Sequence, residues 1–134
     1  MRLLRFYVRR HLLLRDLDLR FDRPGRLDTG QYALDFLVGV NGSGKSTLLR
    51  ALAQTFSSLR TNQYNDFDFV LEYELGAKDL SQVVRIQRET QDNLSALKMQ
   101  VILGEQIIYH GEAIDSRYLP RRVIVYSTGN EAEW

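Results

Sequence analysis

Cysteine is absent from this 134-residue chain, which excludes a thiol nucleophile, a thiolate zinc site and any disulfide. The two histidines, His11 and His110, stand far apart and argue against a histidine-built metal site. Proline occurs twice and tryptophan once. No stretch approaches the roughly eighteen consecutive apolar residues that a membrane helix needs. The amino-terminal segment is interrupted by Arg2, Arg5, Arg9, Arg10 and Arg15, so no secretion signal is read there. A cytoplasmic protein without a membrane partner is the expectation.

What is present is ordinary for a globular domain: 44% apolar and 26% charged residues, in a length that suits one core. The net charge of +1 hides an asymmetry between the halves. Residues 1–67 carry eleven Lys and Arg against six Asp and Glu, whereas residues 68–134 carry seven against eleven. The basic half is nearly all arginine, whose forked guanidinium suits phosphate. Several of those arginines alternate with leucine, which is also how the wet face of a strand reads.

Periodicity divides the chain into four parts. Residues 1–38 hold amino-terminal strands: one over about 3–8, then Leu17, Leu19 and Phe21 alternating with Asp16, Asp18 and Arg20. Arg23-Pro24-Gly25 and Asp28-Thr29-Gly30 are turn chemistry, followed by an extended run from Ala33 to Val38. Residues 39–59 combine a glycine-rich loop with an amphipathic helix, because Leu48, Leu49, Leu52, Phe56 and Leu59 recur at spacings of three and four. Residues 67–110 return to period two and predict an antiparallel meander. In it, Leu103-Gly104-Glu105-Gln106 supplies the glycine that a two-residue II′ hairpin loop requires. Residues 122–126 follow Pro120 as an almost unbroken apolar run, the signature of a strand buried on both faces.

The residues with a chemical purpose are Gly39-Val40-Asn41-Gly42-Ser43-Gly44-Lys45-Ser46, a full match to GxxxxGK[ST], with Thr47 after it. Glycines at 39, 42 and 44 permit backbone angles that turn N–H groups inward as a nest for phosphate oxygens. The helix beginning at Lys45 points its positive dipole end at the same spot. Lys45 is the expected catalytic residue, reaching the β- and γ-phosphates, while the Ser46 hydroxyl is the expected Mg²⁺ ligand and Thr47 donates to the α-phosphate. Gly39, Asn41, Gly42, Ser43, Gly44, Lys45, Ser46 and Thr47 together form the expected nucleotide cradle for ATP or ADP. By composition alone the pattern arises in a chain of this length on the order of half a percent of the time.

Val38 to Leu49 resembles the Walker A segment of ABC-type ATPase heads, in particular the SMC and recombination-repair branch and its AAA-labelled bacterial relatives. Leu119 to Asn130 is similar to a segment of some defence- or restriction-associated ATPases of that group. The resemblance implies an α/β fold, the amino-terminal lobe of a P-loop NTPase head with a large antiparallel β-subdomain, as a single partial domain over 1–134. It implies ATP and Mg²⁺ as cofactors and a partner, either a second copy or a missing carboxy-terminal ATPase half. DNA is a further implied partner, with DNA repair or phage defence as the setting.

Other parts of such a head are not legible. Asp35, Asp66, Asp68 and Asp115 lack the four apolar residues that precede a Walker B acid, and Val123 to Tyr126 is followed by Ser127. Leu94-Ser95-Ala96-Leu97 begins like a signature motif but has no glycines, and no glutamine marks a Q-loop. The expectation is therefore nucleotide binding with little or no hydrolysis by this chain alone, since no residue is available to orient water. Arg9 and Arg10 are secondary candidates against the nucleotide, and Tyr7, Tyr32 and Phe36 are candidates to stack on the base. Trp134, with Glu131 and Glu133, is a tail or an interface anchor. Two other readings stand beside the ATPase part: a small P-loop kinase or phosphotransferase, and a non-catalytic module that uses nucleotide as a ligand for assembly.

Overall fold

A computed structural model describes residues 1–21, 36–63, 65–76, 81–92 and 94–124. Strands β1 (Arg2–His11) and β2 (Leu14–Arg20) form the first hairpin, and helix α1 spans Lys45–Thr61. Strands β3 (Phe69–Leu75), β4 (Gln82–Gln91), β5 (Leu94–Leu103) and β6 (Gln106–Gly111) follow, and then a short 3₁₀ turn at Ser116–Tyr118. They make a six-stranded sheet in the order β2-β1-β3-β4-β5-β6. Every neighbouring pair in it is antiparallel.

Alternation explains which face is covered. Phe6, Val8, Leu71, Tyr73, Val84, Ile86, Met99 and Val101 are all buried, and the register sets Phe6 beside Leu71, Leu71 beside Ile86 and Ile86 beside Met99. Helix α1 covers this apolar row with Leu48, Ala51, Phe56 and Leu59, spaced on one stripe. The Phe56 and Tyr73 rings lie 5.8 Å apart at this junction. Thr55 is buried in the same stripe and is satisfied by donating to the Ala51 carbonyl at 2.8 Å and accepting from Asn65 at 3.2 Å. The helix ends on Asn62 in the left-handed region (φ 53°), whose amide bonds back to Ser58.

The intervening positions carry charge onto the other face. Arg5 makes a two-pronged contact with Asp18 at 2.7 and 3.1 Å, and Glu72 lies between Arg5 and Arg85 at 3.8 and 3.5 Å. Arg2 pairs with Glu74 at 2.9 Å, Arg20 with Asp18 at 3.3 Å and Arg9 with Asp68 at 3.7 Å. The arginine-rich amino terminus thus lies along acids of β2 and β3 as a ladder of exposed or half-buried pairs. Each such pair contributes about 0–1 kcal/mol.

The elements match the periodicity, with longer strands: the hairpin, the meander and the helix all form. Gly104 has φ 61° at the β5–β6 turn, as a II′ loop needs at its first central residue. The fold class does not match. An α/β P-loop lobe requires core strands at 33–38 and 122–126 beside parallel neighbours. The described part of the chain is instead an antiparallel sheet with one helix, an α+β arrangement with no parallel pair among the described residues. Residues 36–38 run outside the sheet, with Phe36 81% and Val38 88% exposed, and residues 122–124 are likewise unpaired, with Ile124 87% exposed. Residues 33–35 and 125–126 lie outside the described residues. An apolar run reads as a buried strand only if strands flank it, and among the described residues the sheet stops at β2 and β6.

Tyr73 is buried against the segment after β6 and donates its hydroxyl to the Tyr118 carbonyl at 2.9 Å. Burial pushes that hydroxyl's pKa upward. Tyr73→Phe is expected to lower unfolding free energy by about 1–3 kcal/mol, read by urea denaturation, because the carbonyl loses its donor; an unchanged midpoint would contradict this. The Arg5 hydrogen bonds hold the Asp18 carboxyl below its ordinary value. Its contribution is therefore present above the unfolded value near about 3.9 and is lost as pH falls through the folded one. Asp18→Asn should flatten the acid-side fall of Tm below about pH 4, and an unaltered profile would contradict that assignment.

Candidate phosphate-binding loop

Helix α1 starts without a side-chain cap. Its N-cap is Gly44, in the left-handed region at φ 89°, and its first turn carries no acid. The amides at a helix start lack intrahelical acceptors, so this end presents donors and a positive dipole with no carboxylate to compete. Gly42 is also left-handed at φ 81°. Two positive-φ glycines around Ser43 fold the segment back on itself, and the Ser43 amide donates to the Val40 carbonyl at 3.2 Å. The sequence expectation of a tight glycine loop entering a helix at Lys45 is thus met in geometry.

The lysine lies inside that loop. Lys45 Nζ donates to the carbonyls of Gly39 at 2.6 Å and Val40 at 2.8 Å, and to Ser43 Oγ at 3.4 Å. The loop therefore wraps around its own ammonium group. A Cβ on Gly39 would meet Ser43 Oγ at 2.8 Å, so a side chain there would require the exposed serine hydroxyl to turn away. A Cβ on Gly44 would stand 3.3 Å from Leu14 Cδ2, so the turn joining β1 and β2 sits against the start of the helix. That contact crosses thirty residues of chain and carries no sequence signal.

Of the expected cradle residues, Lys45 is brought onto Gly39 and Ser43, while no side-chain hydrogen bond among the described residues joins Asn41, Ser46 or Thr47 to them. Asn41, Gly42 and Ser43 are exposed, Lys45 and Thr47 half-buried and Ser46 exposed in the first turn. Phosphate oxygens offered to this site would meet the uncapped amides of the first helical turn and the Lys45 ammonium, in competition with the Gly39 and Val40 carbonyls. For Mg²⁺ the loop itself offers the Ser46 hydroxyl, and the described residues hold no cluster of three or more His, Asp or Glu able to bind a metal. A magnesium ion here would take its other oxygens from the phosphates and water.

The secondary candidates are distributed differently. Arg9 and Arg10 line an open cleft of about 560 Å³ with Asp16, Asp66 and Asp68, so acids share that space. Tyr7 donates its hydroxyl to Asp16 at 2.9 Å; desolvation and then this bond raise its pKa, and it sits on the charged sheet face. Phe36 is exposed just ahead of the loop, while Tyr32, Glu131, Glu133 and Trp134 lie outside the described residues. His110 is an exposed β6 residue opposite Gln100. His11, in contrast, is half-buried: its ring lies 4.3 Å from that of Phe67, and its Nε2 has no hydrogen-bond partner among the described residues.

Compared with known protein-family models, curated proteins and solved structures, the chain matches none of them. Among the described residues no helix is long and apolar enough to cross a membrane.

Gly44→Ala is expected to destabilise the chain by about 1–2 kcal/mol, because alanine resists left-handed angles and its methyl group presses on Leu14. Thermal unfolding measures this, and a variant as stable as the parent would contradict the described loop.

Proposed function

We propose that the chain binds ATP or ADP with Mg²⁺ through Gly39 to Thr47. The observation that carries this reading is the conjunction of two left-handed glycines, an uncapped, acid-free helix start and a lysine held inside the loop. Bound phosphates compete with the Gly39 and Val40 carbonyls for Lys45, and the ammonium then neutralises the β- and γ-oxygens. The backbone amides orient the phosphate chain, and Ser46 directs its hydroxyl to the metal. Magnesium, when bound, supplies charge neutralisation at the phosphate oxygens.

Turnover requires a further group to polarise water, and the sequence offers no acid after an apolar strand for that task. Hydrolysis therefore belongs to an assembly with a complementary ATPase half that supplies this group, since a second copy would lack it as well. The exposed apolar side chains Phe36 and Val38, directly ahead of the loop, and Val40 within it support a partner at this end. The likeness of residues 38–49 to SMC-branch heads supports the same division of labour.

Isothermal titration with Mg-ATP tests the reading. Saturable binding that weakens at least tenfold in Lys45→Ala, without detectable phosphate release, is expected. Equal heats for the parent and Lys45→Ala, or robust turnover by the isolated chain, would overturn it. Phosphate transfer to a small acceptor would instead favour the kinase reading.

A further inference from the structure

A second site lies at the opposite end of α1, about 25 Å along the helix from the glycine loop at 1.5 Å per residue. There the last turn of the helix, the start of β5 and the segment after β6 enclose a groove of about 860 Å³. Its floor is apolar: Leu59, Leu97, Ile114, Leu119 and Pro120. Leu119 and Pro120 are buried there, and Leu97, Ile114 and Leu59 belong to or pack on the core. Its rim is cationic. Arg60 and Arg121 line it, with Arg60 donating to the Arg121 carbonyl at 2.9 Å, which fixes one wall. Arg122 follows, exposed like Arg121. Neither the Arg121 nor the Arg122 guanidinium has an ion-pair partner among the described residues.

Two acids are near. Glu112 is on the lining, and Asp115 is committed to Arg117, with contacts of 2.6 to 3.1 Å. Across the lining residues Arg60 and Arg121 against Glu112 the balance is +1. This differs from the sheet face, where each arginine described above lies beside an acid. Cations around an apolar trough complement a ligand that is acidic and apolar at once.

We infer that this groove docks an acidic, apolar peptide segment of a partner chain, with aliphatic or aromatic side chains on the Leu59–Ile114–Leu119 floor and carboxylates on Arg60 and Arg121. A nucleic acid would satisfy the arginines but leave the apolar floor unfilled. The partner segment therefore carries alternating or clustered carboxylate and large apolar residues. The site is separate from the glycine loop and does not depend on nucleotide.

The test uses the whole chain and a fluorescein-labelled synthetic peptide of alternating glutamate and leucine with one central tryptophan. Its twin has lysine in place of every glutamate. Fluorescence anisotropy is expected to give saturable binding of the acidic peptide alone, weakening as salt rises from about 0.05 to 0.5 M. Arg60→Glu and Arg121→Glu should each weaken binding by about tenfold. Ala113→Trp, which fills the groove, should abolish it, whereas Lys45→Ala should bind as the parent does. Equal binding of the two peptides, no binding of the acidic one, or displacement by a single-stranded oligonucleotide would overturn the proposal. So would amide shift changes that fall on residues 39–47 instead of 95–97 and 112–121. The comparison of the two peptides uses the unaltered chain, so a misfolded variant cannot decide the outcome.

Discussion

Everything else in the molecule hangs on the burial of one helical stripe against one face of an antiparallel sheet. Leu48, Ala51, Phe56 and Leu59 have their partners on β1, β3, β4 and β5, and no other described helix covers that face. Burial of each leucine and of Phe56 contributes roughly 1.5–3 kcal/mol, more than an exposed ion pair on the opposite face. Orientation follows from it. Once the stripe is seated, the amino-terminal end of α1 must emerge beside the β1–β2 turn, and its carboxy-terminal end beside β5 and the segment after β6.

These two ends behave as chemical opposites of the buried middle. At one, glycines leave the backbone donors of the first turn uncapped, and Lys45 is held by carbonyls of its own loop. A lysine in that position is a local counter-charge that keeps the loop compact while remaining available to a stronger anion. At the other, arginines gather around an apolar trough. The helix thus acts as a rigid spacer between a candidate phosphate site and a candidate peptide site, and neither site shares a residue with the other.

Much of this was legible in the sequence because local chemistry fixes it. The three-and-four spacing from Leu48 to Leu59 specifies the helix, alternation specifies the meander from Phe69 to Gly111, and Gly42 and Gly44 specify the loop. What local chemistry does not fix is which strands become neighbours. Ala33 to Val38 and Arg122 to Tyr126 read as core strands from their apolar runs, yet Phe36, Val38 and Ile124 are exposed and the sheet is antiparallel throughout its described extent. Pattern reports that a segment wants burial; only pairing reports whether a neighbour is there. The Leu14–Gly44 contact, the internal bonds of Lys45 and the clustering of Arg60 with Arg121 were equally invisible, since each joins distant or backbone groups that leave no periodic trace.

The central claim is that the glycine loop itself receives phosphate. Its most direct test is amide ¹⁵N–¹H NMR of the chain during titration with Mg-ATP. The account predicts shift changes concentrated at residues 39–47, with the Gly39 and Val40 region moving as Lys45 leaves their carbonyls. Changes confined to the Arg9–Arg10 cleft or to the Arg60–Arg121 groove, or no changes at saturating nucleotide, would contradict it.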